Sequence, residues 1–179
     1  MIPRWSPGQW LLRVVIVLAP LGAVLAGIPA GATPGVLFFL VLLVLALLFA
    51  LFPASQGGVV VLLMPAVWWA AAPDDPLHPM SMVAAAALVA CHVAALLASY
   101  GPDRLPVDPA LARLWVRRGV LVLVPVPVLW AVADVLAGEQ ARPAVWVAGL
   151  AVACVGALVS TAVFGEGSHA FREADVQLQ

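Results

Sequence analysis

A cysteine and a histidine stand side by side in the alanine-rich run LVACHVAALL, residues 88–97. A thiol and an imidazole can bind zinc or a softer metal, and a histidine inside a membrane can relay protons. Adjacent side chains on a helix diverge by about 100°, however, so Cys91 and His92 do not both face one centre. The spacing therefore predicts no metal site, no haem and no other cofactor. We expect His92 to be a neutral imidazole that hydrogen-bonds a neighbouring helix, and Cys91, like Cys154, to be a small buried apolar residue.

Asp134 is the second ionisable side chain that falls well within an apolar segment. At 1.5 Å per residue, Asp134 lies about 6 Å from the outer end of its segment, whereas His92 lies about 18 Å from the outer end of its own. The difference in depth, about 12 Å, excludes a direct pair in an upright bundle. We expect Asp134 to bond a backbone donor, Arg142 or water at the rim. Because no acid, base and nucleophile share one depth, the sequence predicts no enzyme.

The composition identifies the solvent of this chain. Its 179 residues are 65% hydrophobic and 9% charged, and the mean hydropathy is +1.12. Soluble domains carry about 25% charged residues, so a chain this apolar needs lipid around it. In lipid, only helices and closed barrels satisfy their own backbone groups, and the run VLFFLVLLVLALLFALF, residues 36–52, lacks the alternation of a barrel strand. The predicted fold class is an all-α, polytopic transmembrane helical bundle.

Breaks rich in proline and glycine divide the chain into six apolar segments. A span needs about 17–25 residues, and the third segment is shorter than this. We expect one transmembrane domain, 1–164, followed by a polar cytoplasmic tail, 165–179. The six predicted spans are approximately residues 10–28, 36–52, 57–72, 80–100, 119–138 and 144–164. Prolines that are expected to kink these spans are Pro20, Pro65, Pro125 and Pro127.

Arginine placement gives the orientation. With the N-terminus in the cytoplasm, every arginine except Arg142 lies on the cytoplasmic side, as the positive-inside rule requires. Tryptophans cluster near both ends of the spans, with Trp130 alone well inside one. Arg13, within one turn of an inner end, is expected to extend its guanidinium to the interface. The absence of lysine and asparagine is typical of a GC-rich bacterial genome, so we expect a bacterial inner-membrane protein with both termini in the cytoplasm.

The predicted inner loop between the fourth and fifth spans contains the most structured polar segment. Asp108 can cap a helix that has Pro109 at its first position. The following residues, ALARLWVRRG, place apolar side chains beside Arg113, Arg117 and Arg118, as in an interfacial helix that leads into the fifth span. These arginines are candidate contacts for lipid headgroups or for a membrane-protein partner. The patch is small and faces lipid, so no nucleic-acid binding is predicted.

The near absence of polar groups within the spans points to a packing role. Ala86, Ala90, Ala94 and Ala98 recur at every fourth residue of the fourth span, a pattern that allows another helix to approach closely. We expect a small, non-catalytic accessory or structural subunit that packs with itself, as a homo-oligomer, or with membrane-protein partners. The alternative is a small transporter or channel that uses the kinked spans together with His92 or Asp134.

The first segment also resembles a secretory signal peptide. Arg4 and Arg13 precede an apolar stretch, and Ala30-Gly31-Ala32 precedes a possible cut before Thr33. Cleavage would leave five spans. We expect the segment to be retained, because its charged part is long for a signal peptide and residues 10–12 already belong to the apolar run.

If the first segment is retained, the mature protein in its native membrane includes residues before Thr33. Terminal sequencing of the purified protein should find residues upstream of Thr33, since the first span would remain in the bundle. A mature chain beginning at Thr33 would contradict the six-span topology.

Overall fold

The computed structural model describes residues 5–75, 77–100 and 108–137. These residues form helices and turns and no β-strand, so the all-α prediction is confirmed for this part of the chain. The backbone divides into two compact units, Met1–Asp134 and Val135–Gln179. The sixth predicted span and the predicted tail lie outside the described residues, and the single domain over 1–164 stays a prediction. The helices are α1 (Pro7–Leu25), α2 (Val36–Leu51), α3 (Gly57–Ala71), α4 (Met80–Ser99), α5 (Pro109–Leu123) and α6 (Pro125–Ala137).

Helix α1 is the centre of the bundle. Ser6 caps it by accepting a hydrogen bond from the Gln9 N–H, and Pro7 occupies the first turn, where its missing N–H costs nothing. α1 packs against α2, α3 and α4, and its side chains Ile16, Ala23 and Val24 are fully buried. The segment that resembles a signal peptide therefore supplies the core of the described bundle.

Successive helices run in opposite directions. Ile16 clusters with Phe49 of α2, while Val24, about two turns further along α1, clusters with Leu42, which is earlier in α2. The same reversal relates α1 to α4: Ile16 contacts Cys91, and the later residue Ala23 clusters with the earlier Ala84. Both α2 and α4 therefore run opposite to α1, as even-numbered membrane spans run opposite to the first.

Three helical segments are long and apolar enough to cross a membrane: Pro7–Ala30, Met80–Ser99 and Pro109–Val135. α2 and α3 are apolar but contain only 16 and 15 residues. At 1.5 Å per residue their helical parts are about 24 Å and 22 Å long, which is less than the roughly 30 Å of a bilayer core. Six spans thus stay a prediction, with which the length and composition of three described segments are compatible.

The predicted fifth span, 119–138, overlaps a helical segment, Pro109–Val135, that begins earlier in the chain. α5 begins at Pro109 and continues without interruption to Leu123, and α6 starts at Pro125. Pro125 and Pro127 have no N–H to donate to the carbonyl oxygens of Leu121 and Leu123. A proline also disfavours the helical conformation in the residue before it. The break therefore falls at Val124, and the arginine-bearing segment is the first half of α5 rather than a separate interfacial helix.

Trp130 lies within the candidate span Pro109–Val135, as predicted, and it also contacts another part of the bundle. Its indole Nε1 donates a hydrogen bond of 2.5 Å to the carbonyl oxygen of Leu77, in the turn between α3 and α4. The break at Val124 and this hydrogen bond bring α6 to the end of the bundle where that turn lies. An indole with one polar edge is well suited to such a position.

Charged groups divide between the two ends of the bundle. The arginine end comprises the N-terminal halves of α1 and α5 and the C-terminus of α4, where the Tyr100 and Trp115 rings lie 5.9 Å apart. Asp108 is the one acidic residue at that end among the described residues. The opposite end contains Asp74, Asp75 and His78. The described cations of the arginine end are Arg13, Arg113, Arg117 and Arg118.

Alanine substitutions at two glycines, one in the turn after α1 and one within α1, test the conformation of this turn. Gly31 has φ +87°, and a Cβ added there would lie 2.8 Å from Asp74 Oδ2. The left-handed conformation costs other residues about 1–2 kcal/mol, so Gly31→Ala should lower the free energy of unfolding by at least about that amount. Gly22 lies within α1 with open space around its Cβ position, so Gly22→Ala should raise the free energy of unfolding by about 0.5–1 kcal/mol. Unfolding in mixed micelles measures both, and equal effects would contradict the turn.

Candidate functional site

Two polar residues of α1 are buried on one face of the helix, within the bundle. Gln9 and Arg13 are only 2% and 4% exposed, although both side chains are polar. They continue the face on which Ile16 and Pro20 are also buried, at helical spacings of four, three and four residues. This face is buried because α1 is surrounded by three other helices.

The sequence predicted that Arg13 extends its guanidinium to the interface. In the structure, the guanidinium instead lies against an aromatic ring. The guanidinium carbon lies 4.3 Å from the centre of the Trp5 ring. Such a contact is worth about 0.5–1 kcal/mol when exposed and about 2 kcal/mol or more when shielded from water. The sequence does contain a signal for this burial, since Gln9 and Arg13 are in register with Ile16 and Pro20. The short distance from Arg13 to the end of the span, taken alone, predicts an exposed guanidinium instead.

Cys91 fills a gap that Pro20 creates in the backbone of α1. Pro20 has no N–H, so the carbonyl oxygen of Ile16, four residues earlier, lacks its helical donor. The Cys91 Sγ donates a hydrogen bond of 3.6 Å to this oxygen across the interface between α4 and α1. Cys91 is completely buried, as predicted, but it also has a polar role that was not predicted.

A second carbonyl of α1 is satisfied in the same manner. At the end of the helix, the Gly27 N–H bonds the Val24 oxygen instead of the Ala23 oxygen. The Trp69 Nε1 of α3 donates a hydrogen bond of 2.7 Å to the Ala23 oxygen. Side chains of α3 and α4 thus complete the hydrogen bonding of α1 at two heights.

The hydrogen bond predicted for His92 stays a prediction. The residue is exposed, and its ring makes no hydrogen bond with any of the described residues. The adjacent Cys91 thiol does bond a neighbouring helix, α1. Of the predicted alanine ladder, Ala94 and Ala98 are buried with Cys91, whereas Ala90 is exposed.

Asp134 lies on α6 and is exposed. Among the described residues, no hydrogen bond or ion pair connects Asp134 to His92, and Arg142, its predicted partner, lies outside them. No group of three or more histidine, cysteine or acidic residues able to hold a metal ion occurs in the described part of the chain. The two candidate intramembrane polar positions therefore remain separate surface positions on their helices.

The arginines of α5 occupy two sides of that helix. Asp108 caps α5 as predicted, its Oδ1 accepting a hydrogen bond of 2.9 Å from the Ala110 N–H. Arg118 lies over the Trp115 ring, 5.2 Å from its centre. Arg113 and Arg117 are exposed and sit one turn apart. α5 thus presents two cations at the arginine end of the bundle.

Chemically, the described arrangement offers hydrogen bonds between helices and a buried cation. The Cys91 thiol is enclosed and bonded to a carbonyl oxygen. Comparison of the chain with protein-family models, curated proteins and solved structures finds no match.

A double-mutant cycle tests the bond between Cys91 and the Ile16 carbonyl. Cys91→Ala should lower the free energy of unfolding, because the carbonyl loses its donor and a small cavity forms. In a Pro20→Ala background, residue 20 regains its N–H and bonds that carbonyl itself, so Cys91→Ala should cost less. We expect a coupling energy of about 0.6–2 kcal/mol, in the range measured for hydrogen bonds between membrane helices.

Two further variants control this cycle. Cys91→Ser keeps a donor and should be less destabilising than Cys91→Ala, whereas His92→Ala should change stability little because His92 is exposed. A coupling energy of zero between positions 20 and 91 would contradict the role assigned to the thiol.

Proposed function

We propose that the chain is a six-span protein of a bacterial inner membrane, with both termini in the cytoplasm. The alternating directions of the helices support this topology, since each span must reverse the one before. The collection of described arginines at one end supports the orientation. α2 and α3 would cross with the help of flanking residues and local thinning of the bilayer. The burial of Ile16, Ala23 and Val24 supports retention of the first segment.

Within this membrane, we propose a non-catalytic role as an accessory or structural subunit. One observation carries the proposal: two buried side chains of neighbouring helices complete the hydrogen bonding of the α1 backbone. The Cys91 thiol and the Trp69 indole each bond an α1 carbonyl. A carrier or an enzyme would instead direct such groups into a cavity that a substrate could reach.

The cavities support the same role. Three grooves on the described residues, of about 510, 260 and 250 Å³, are lined by apolar and aromatic residues alone. His92 lines none of the three. Grooves of this kind accept hydrocarbon or another helix, and they provide no hydrated path for an ion or a polar solute.

α2 presents a broad apolar surface that a packing role would use. It buries only Leu42, Ala46, Phe49 and Ala50 within the bundle. Large side chains with roughly half or more of their surface exposed cover its other faces, including Val36, Leu37, Leu40, Val44 and Leu51. In a membrane, lipid tails or the span of a homo-oligomer or membrane-protein partner can cover these faces.

The break between α5 and α6 favours the alternative, a small transporter or channel. Interrupted helices form hinges and binding sites in transporters. In this chain, however, Pro125 follows a helix with few buried residues, and Asp134 is exposed on α6. The packing role accounts for more of the described interior.

The mass of the purified particle tests the packing role. Protein extracted from its native membrane in mild detergent should elute as a homo-oligomer or with a second chain in fixed ratio, as measured by light scattering and intact mass. His92→Ala and Asp134→Asn should leave this mass and the thermal stability unchanged, because both residues are exposed.

Reconstitution into vesicles provides the contrary outcome. A monomeric protein that conducts a solute, and that loses this flux on His92→Ala or Asp134→Asn while remaining folded, would replace the packing role with that of a carrier or channel.

A further inference from the structure

An apolar groove of about 260 Å³ runs between α1, α4 and α5. Its walls include Leu11 and Val15 of α1, Ala90 of α4, and Val116 and Val120 of α5. The lining residues on α4 extend from Ala86 to Leu97, about 16 Å along the helix axis at 1.5 Å per residue. The groove is therefore long and narrow, and it follows the direction of the helices.

The groove opens onto the surface of the bundle. Leu11, Val116 and Val120 are 65%, 53% and 54% exposed. Its floor is formed where α5 approaches α4 at Gly119: a Cβ at this position would lie 3.0 Å from Val93 Cγ2. The lack of a side chain at Gly119 allows this close approach and leaves space above it. An extended hydrocarbon chain in the surrounding lipid can enter from the side.

Two arginines lie on α5 beside one edge of the groove, at the arginine end. With 100° between residues, Arg113 and Arg117 lie about 20° and 60° from Val120 around the axis of α5, on the side away from Gly119, whereas Arg118 lies about 160° from Val120. Side chains on a helix tilt toward its N-terminus, so both guanidinium groups point toward the membrane surface at that end. α5 itself contains no acidic residue that would neutralise them.

We propose that this groove binds one acyl chain of an anionic phospholipid, whose phosphate group Arg113 and Arg117 hold. The apolar walls fit a hydrocarbon chain, and the paired arginines fit a phosphate, which accepts hydrogen bonds from several donors. The volume, below the roughly 300 Å³ of the smallest pockets for drug-sized molecules, suits a single chain. The inference does not depend on the packing role proposed above, since a carrier could have the same lipid site.

A lipid fits this groove better than a second copy of the chain. Copies related by a twofold axis along the membrane normal would present the same surface to each other. This symmetry would bring two pairs of like-charged arginines to the same membrane face, where they repel. An anionic headgroup instead neutralises them.

The test measures lipid binding to the full-length protein. Purified protein in detergent is titrated with phosphatidylglycerol or with phosphatidylcholine of identical acyl chains, and native mass spectrometry counts the bound lipid. The wild type should retain phosphatidylglycerol in preference. The double variant Arg113→Gln/Arg117→Gln should bind it about 30-fold more weakly and lose the preference, as expected for two arginines near an anionic group.

Variants of the groove separate the chain site from the headgroup site. Ala90→Leu fills the groove from an exposed position and should weaken the binding of both lipids about tenfold, equivalent to displacing about two methylene groups. Val116→Phe does so from α5 and serves if Ala90→Leu fails to fold. The matched controls are Arg118→Gln, which removes a cation from the opposite side of α5, and Ala66→Leu, at an exposed alanine of α3 outside the three grooves described above. Both controls should bind lipid as the wild type does.

Three results would overturn the proposal. The first is a folded Ala90→Leu and a folded Val116→Phe that bind both lipids normally. The second is an Arg118→Gln that loses as much affinity as the double variant, which would indicate general attraction to a charged surface. The third is a particle whose groove variants fall from dimer to monomer without any change in lipid binding, which would assign the groove to a second copy.

Discussion

The structure depends on the backbone carbonyls of α1 that have no donor within their own helix. In an apolar interior each must find one, because no water is present to supply it. Pro20 exposes the Ile16 oxygen, and the end of the helix exposes the Ala23 oxygen. The Cys91 thiol and the Trp69 indole meet these requirements from two different helices. These two hydrogen bonds fix the positions of α4 and α3 along the axis of α1. Apolar contacts between smooth, alanine-rich surfaces alone would allow the helices to slide along each other.

The same central helix also holds the buried cation of the bundle. Arg13 lies on the face that continues through Ile16 to Pro20, and Trp5 covers its guanidinium. A residue of this type at the end of a membrane span normally extends toward water. Here the helix is enclosed on several sides, and the aromatic ring replaces part of the hydration that the cation gives up. The segment that most resembles a removable leader is therefore the one whose loss would remove both the core and this polar contact.

Local rules in the sequence predicted much of the architecture. The helical class follows from composition and from the lack of alternation, and the start of α5 follows from Asp108 and Pro109. The rotation of α4 about its own axis could not be predicted, because alanines occur on all its faces and give no hydrophobic contrast. The burial of Cys91 was therefore predicted, but its hydrogen bond to α1 was not. The kink was predicted at Pro125 and Pro127, where the break occurs. The continuity of α5 across Gly119 was not predicted, because glycine is an unfavourable residue within a helix. Arg13 was judged by depth alone, and burial depends on how many neighbours surround a helix.

The bond between Ile16 and Cys91 also has a consequence for biogenesis. Its two residues are separated by 75 positions in the chain. At a synthesis rate of about 5–20 residues per second, the Ile16 carbonyl exists for about 4–15 s before the ribosome has made the thiol that satisfies it. During that interval α1 carries an unsatisfied carbonyl in its middle and a cation near its beginning. Stable insertion of α1 into the bilayer therefore requires α4. We expect α1 to remain at the insertion machinery until α4 has been synthesised.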